Sequence, residues 1–326
     1  MTDYSSISDR RDHDQATKSP GFGFATVDTP ISLTHQHIIA VINTELVRRG
    51  PTKRAPIRLL DAGCGDGLLL AYLAKSLAAC WPNLQFEFFG FDVADHGVQR
   101  LGYFAETINF LATGVPSQPW SERLALISEH DQWPYEVGFF DVVVSNQVLE
   151  HVSDHRLFFS EIARVMRIGG FSVHLFPLGH CIREPHLRLP FVHWFKSADA
   201  ISACIRFYSR IGIGKFHRTA TDRAERARQL DQYIEQHTDY LIRLTNYVKQ
   251  SEALRYAKDN KLHASFGYTA HYYQAKLRSI LGLRSSLVYR RPRAICATAP
   301  VLMLRYVASV TLLLEKEESY TNGIDP

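Results

Sequence analysis

A chain of 326 residues, 46% hydrophobic and 21% charged, has room for one enzyme domain with an insertion or for two small domains, and its composition excludes wholesale disorder. Its 37 basic and 33 acidic residues leave a net charge of +4 spread along the sequence, so no basic stripe marks a specific nucleic-acid partner. The five cysteines, Cys64, Cys80, Cys181, Cys204 and Cys296, are scattered without a CxxC pair, which excludes a disulfide framework and a cysteine zinc site and fits a reducing, cytoplasmic setting.

Residues 1–30 are polar and lack an apolar signal core, so a loose tail is expected there. A helical stripe follows at Ile38, Ile39, Ile42 and Leu46 and stops at Gly50. Apolar strand runs then appear at 57–63, 84–92, 124–128, 139–146 and 170–177, separated by helical stretches such as LLLAYLAKSLAACW and DHRLFFSEIARVMR. Strands alternating with helices predict a doubly wound α/β sheet, mostly parallel and covered on both faces.

The alternation pauses from about residue 180 to 262. This stretch is helical and charged, and RQLDQYIEQHTDYLIRLTNYVKQ carries an apolar stripe at Leu230, Tyr233, Ile234, Leu241, Leu244 and Val248. Strand signals return at SLVYRR (286–291) and ASVTLLLEK (308–316), with a helix expected from Pro292 to about Val307. The reading is a seven-stranded, Rossmann-like sheet with a helical insertion after its fifth strand. The core spans 31–179 and 263–318, the insertion 180–262, and a short tail 319–326. The insertion suits either a lid over a substrate or a homodimer surface. The late apolar stretch is broken by Arg305 and is too short for a membrane span.

IRLLDAGCGDGLLLAYLAK is a strand, a glycine turn and a helix start, with glycines at 63, 65 and 67 that let backbone approach a ligand. Asp61 and Asp66 flank the turn. A dinucleotide puts its pyrophosphate at such a helix start, where added carboxylates repel it. These charges argue against an NAD-dependent oxidoreductase and favour a cofactor carrying an ammonium and a sulfonium. Asp92 ends the second strand, where such folds place a ribose-binding carboxylate.

LLDAGCGDG, GFDVADHGVQRL, FDVVVSNQVLEHVSD and ARVMRIGGFSVHLFP, taken in order, resemble the class I S-adenosylmethionine-dependent methyltransferases, in particular the small-molecule and quinone-biosynthesis group. The resemblance covers 57–177 closely and 264–316 in outline. It implies S-adenosylmethionine as cofactor and S-adenosylhomocysteine as product. It also implies that Asp61, Gly63, Cys64 and Gly65 hold the methionine part, that Asp92 and Val93 hold the ribose, and that Asn146 faces the transferable methyl. Glu129 and His130 fall at the adenine edge, where the family more often has Asp and a small residue.

SNQV at 145–148 is not the Asn/Asp-Pro-Pro-aromatic signature of base-amine methylation, and no Pro-Cys pair offers a nucleophile. A small-molecule or saccharide acceptor remains, methylated on a hydroxyl or, as the alternative, on the carbon of a quinol-like ring. A cofactor-binding but silent partner subunit is a third reading. A hydroxyl acceptor needs a base near neutral pKa. His151 either touches the pocket or packs the next helix. His180, His186 and His193 follow the fifth strand on the ligand side of the sheet, with His180 and His186 the further catalytic candidates. Their spacings of 6 and 7 differ from the i, i+4 pair of a helix-borne metal site, so no metal is expected. His174 lies within a buried strand and reads as a core histidine.

Overall fold

The computed structural model describes residues 32–50, 55–94, 102–216, 223–283, 286–289, 306–307 and 309–317. The two expected tails and nearly all of the helix expected at 292–307 lie outside these residues. Seven strands form one sheet: β1 Ile57–Ala62, β2 Phe86–Val93, β3 Leu124–Ile127, β4 Phe140–Asn146, β5 Met166–Pro177, β6 His263–Ser265 and β7 Ser309–Glu315. Their order is β3-β2-β1-β4-β5-β7-β6. The first five strands run parallel, and β7 is antiparallel to both β5 and β6. The chain winds outward from β1 to β3, then returns to β4 on the other side of β1. The C-terminal ends of β1 and β4 therefore flank the switch point, where such sheets open a ligand crevice.

Period-two alternation sends neighbouring strand residues to opposite faces. Leu59, Val142, Val144 and Val173 pack with α1 (Leu33–Arg49) and α2 (Leu68–Cys80). Leu60, Val143, Phe176 and Leu312 pack on the other side with α5 (His155–Val165) and α8 (Gln250–Asp259). The shorter α3 (Tyr103–Gly114) and α4 (Trp120–Arg123) lie between β2 and β3 in sequence, and α9 (Thr269–Ile280) packs on α1 and β7. His174 is fully buried on β5, and its Nδ1 lies 2.8 Å from Ser145 Oγ of the paired strand. Burial pushes its imidazole down to about 3, so it is neutral and structural.

The expected sixth strand at 286–291 is not one over its described part, 286–289. Its backbone is bound by α1 instead: Tyr289 N–H donates to Thr44 Oγ1 at 2.8 Å and Asn43 Nδ2 donates to Leu287 O at 3.2 Å. The sixth strand is His263–Ser265, three residues with no apolar run for periodicity to detect.

The insertion has its own small core. Leu187, Leu189 and Val192 pack with Ile201 and Ile205 of α6 (Ala198–Arg210) and with Ile234 and Leu241 of α7 (Arg223–Arg243). The stripe read as one long helix breaks at Arg243. Leu244 and Val248 fall on a non-helical segment before α8, and the start of that helix is held by Lys249 N–H donating to Glu252 Oε2 at 2.9 Å. Val248, Ala253 and Ala257 pack against the main sheet, so α8 covers the core rather than extending the insertion. No helix among the described residues is long and apolar enough to cross a membrane.

Candidate active site

The loop between β1 and α2 folds back onto β2. Gly63 and Cys64 N–H groups both donate to Phe91 O, at 2.9 and 3.0 Å. Gly65 N–H donates to Asp92 Oδ2 at 2.7 Å, and Val93 N–H donates to Asp92 Oδ1 at 2.8 Å. Asp92 thereby ties the glycine loop to the strand end. Gly63 has φ 81°, and a Cβ there would lie 2.6 Å from Val148 Cγ2. Only glycine fits both the left-handed backbone and the space.

A cavity of about 310 Å³ opens at this switch point. Asp61, Asp66 and Asp92 all line it. Asp61 is 1% exposed, and its Oδ1 has no hydrogen-bond partner among the described residues. Burial, together with the charges of Asp92 and Asp66, pushes the Asp61 carboxyl well above the usual carboxylate range. Three carboxylates around one cavity favour a cationic ligand and repel phosphate.

Cys64, Val93, Glu129 and Asn146 also line the cavity, and the Oδ1 of Asn146 is buried without a partner among the described residues. His130 does not line it. That ring is 71% exposed and lies 3.4 Å from the half-buried Glu129, so it sits on the solvent side of Glu129 and not at the cavity, where it was expected. Trp133 was not singled out from sequence; it lines the cavity and packs on Phe91 at 4.7 Å between ring centres. Gln147, just past β4, adopts a left-handed backbone, φ 58°, held by its Nε2 donating to Leu175 O and Ser309 Oγ at 3.1 Å each. Strain of this kind concentrates at functional sites.

His35 is a second residue that sequence reasoning missed. It sits in the first turn of α1, whose N-cap Ser32 accepts from His35 N–H, and it lines the cavity with Nδ1 unpartnered. Burial lowers its pKa, against the opposing pull of Asp66. No motif marks it, since its position follows from the docking of α1.

The structure separates the three catalytic candidates. His151 lines the cavity, and its ring lies 5.2 Å from that of His186. His180 is outside the cavity lining, with its ring 5.1 Å from Tyr306. The reason is the turn after β5, which sends His180 toward the β7 side before the chain doubles back to His186. Around His186 a network forms. Its Nδ1 lies 2.6 Å from Glu184 Oε1, Tyr247 O–H donates to the same oxygen at 2.8 Å, and the N–H groups of His186 and Leu187 also donate to Glu184. Burial raises the Glu184 carboxyl, but the bonds from His186 and the two backbone N–H groups outweigh it, and the net shift is downward. His193 is buried, pushed down to about 4 by desolvation, and packs on Tyr247 at 4.9 Å.

The segment Leu244–Val248 laces this wall to the loop after β4. His151 Nδ1 lies 2.6 Å from Leu244 O, and Asn246 N–H donates to Glu150 O at 2.6 Å. Asn246 Nδ2 donates to Val152 O and Ser153 O at 3.0 Å each. Glu150 is wholly buried, with neither carboxylate oxygen partnered to another described residue, and burial raises it to about 8.

The family described as "Methyltransferase domain" matches residues 34–216, more than half of the chain. Two curated relatives are a malonyl-[acyl-carrier protein] O-methyltransferase of Legionella pneumophila, 33% identical over 36% of this chain and 35% of its own length, and a ubiquinone biosynthesis O-methyltransferase of Rhizobium etli, 27% identical over 43% and 49%. The chain thus spans between a third and a half of the length of these relatives. Among solved structures, the YcgJ protein of Bacillus subtilis aligns over 87% of this chain and 99% of its own, at 15% identity and TM-score 0.42. The geranyl diphosphate C-methyltransferase of Streptomyces coelicolor aligns over 84% and 74%, at 16% identity and TM-score 0.38. By its matched domain, its sheet order and its glycine cradle, the chain belongs to the methyltransferase-domain family of class I S-adenosylmethionine-dependent enzymes.

Proposed function

We propose that this protein transfers the methyl group of S-adenosylmethionine to a hydroxyl of a small-molecule or saccharide acceptor. The observation that carries this reading is the buried, unpartnered Asp61 oxygen in a cavity also lined by Asp66 and Asp92. An ammonium and a sulfonium compensate these charges, whereas a dinucleotide pyrophosphate adds to them. Asp61, Gly63, Cys64 and Gly65 would hold the methionine part. Asp92, placed at the cavity by the Gly65 and Val93 N–H groups, would with Val93 take the ribose hydroxyls. Glu129, with Trp133 and Phe91 alongside, suits the adenine, and Asn146 the methyl-bearing end.

When bound, the cofactor supplies an electrophilic methyl carbon. The work left to the chain is to align the acceptor and exclude water, and alignment alone can lower a barrier by up to about 7–11 kcal/mol. His151 lines the cavity, with His186 and its Glu184–Tyr247 network beside it, and on this reading would face the acceptor. Both curated relatives carry O-methyltransferase names, which supports oxygen as the methylated atom.

Calorimetric titration with S-adenosylhomocysteine and with NAD tests the cofactor. Binding of the former alone is expected, and binding of NAD alone overturns the reading. Transfer of labelled methyl to a panel of phenols, acyl thioesters and saccharides then tests the acceptor; label recovered on ring carbon would move the reaction to C-methylation.

A further inference from the structure

The histidines of the insertion do not make a metal site by their own spacing, but the fold supplies what the spacing lacks. Glu150 and His151 come from the short turn Leu149–His151 after β4, and His186 comes from the insertion. One donor atom from each lies within 4.8 Å of the other two. We infer that Glu150, His151 and His186 form a binding site for a divalent first-row transition cation of the zinc class.

Three features point this way. The first is the carboxylate: Glu150 is fully buried, and neither of its oxygens is bonded to any other described residue. A buried carboxylate without compensation is costly, and a cation removes that cost. The second is the orientation of the rings. Leu244 O can only accept, so Nδ1 of His151 is the donor in their 2.6 Å bond, and the neutral ring carries its lone pair on Nε2. His186 is set the same way, with Nδ1–H given to Glu184 at 2.6 Å. Metal-ligating histidines are held in this manner, one ring nitrogen on a carboxylate or backbone carbonyl and the other on the ion. The third is that Glu184 is itself fixed, by Tyr247 O–H and by the N–H groups of His186 and Leu187.

The donor set selects the ion. Two imidazoles and one carboxylate suit zinc or ferrous iron with open positions, whereas magnesium prefers an oxygen shell. Bonds of about 2.1 Å at tetrahedral angles put ligand atoms about 3.4 Å apart, so side-chain shifts of about 1–1.5 Å close the site. His151 also lines the cavity, so an open position on the ion faces the acceptor space and would take an acceptor oxygen there. What the ion does rests on the methyl-transfer reading; that it binds does not.

The test uses the full chain, without an affinity tag and stripped of metal by a chelator, titrated with zinc by calorimetry and with cobalt by visible absorption. One equivalent of zinc is expected, with a cobalt d–d band of a nitrogen and oxygen site. His186→Ala and Glu150→Gln should each weaken zinc binding about tenfold or more, while His180→Ala binds as the parent does. S-adenosylhomocysteine affinity, measured on the same samples, reports whether each variant is folded. Absence of saturable zinc binding by the parent chain overturns the site, as does zinc binding that folded His186→Ala and Glu150→Gln leave unchanged. Zinc bound without S-adenosylhomocysteine would sink the methyltransferase reading and leave the metal site standing; the reverse result would do the opposite.

Discussion

On one side of the cavity, Asp61, Gly63 and Asp92 are fixed by strand ends and by loop backbone, through bonds that span neighbouring strands of one sheet. On the other side, His151 lines the cavity with Glu150 and His186 beside it, and these are held by groups of the insertion: Leu244 O, the Asn246 N–H and Glu184. The first wall is part of the fold, so disturbing it should cost stability and cofactor together. The second wall is an attachment to the fold, so disturbing it should spare the cofactor.

The largest expected effect is at the first wall. Gly63→Ala forces a Cβ to 2.6 Å from Val148 and keeps a left-handed backbone, which together should cost about 2–5 kcal/mol of stability. A lowered urea midpoint with weakened S-adenosylhomocysteine binding checks this; an unchanged midpoint would mean the loop relaxes independently of β4. Asp92→Ala removes the acceptor of two backbone N–H bonds as well as the proposed ribose contact. At about 1.5 kcal/mol or more per charge-assisted bond, S-adenosylhomocysteine affinity should fall by about two orders of magnitude, measured calorimetrically.

At the second wall, Asn246→Ala deletes two bonds to Val152 O and Ser153 O, about 1 kcal/mol each. Turnover and zinc affinity should drop while S-adenosylhomocysteine affinity stays within error. If cofactor affinity falls as well, the two walls are one unit and the distinction fails.

The smallest effect concerns acid. His37 is buried against Thr311 and Tyr289, and burial, helped by His271, pushes it down to about 3. In the unfolded chain it titrates near 6.5, so below that pH the unfolded state binds a proton that the folded state refuses. The stabilisation is complete above about pH 6.5 and is lost as pH falls toward 3, at about 1.4 kcal/mol per pH unit. Urea midpoints at pH 7 and pH 5.5 should therefore diverge less for His37→Gln than for the parent.

The first wall was legible in the sequence because its residues sit at fixed offsets from strands that declare themselves by apolar runs. Asp61, Gly63 and Asp92 needed only the strand ends to be found. The second wall was legible one residue at a time and not as a set. His151 and His186 each stood out, but no periodicity states that a turn after β4 meets a loop of the insertion. Glu150 carries no sequence signal of its own, and only its burial sets it apart. His180 shared every sequence credential of His186 and differs only in the direction of a turn. The mistaken sixth strand has the same origin: SLVYRR has strand composition, yet its backbone groups find partners on α1 side chains, a choice made by tertiary packing.

The N–H of Gly179 donates to Val248 O at 2.9 Å, and a Cβ on Gly179 would stand 3.0 Å from Tyr247 O. The chain thus departs from the core after β5 and comes back to it beside the point of departure. The segment between is closed at its stem by this bond, so a change in its length need not alter the distance between the end of β5 and the start of α8.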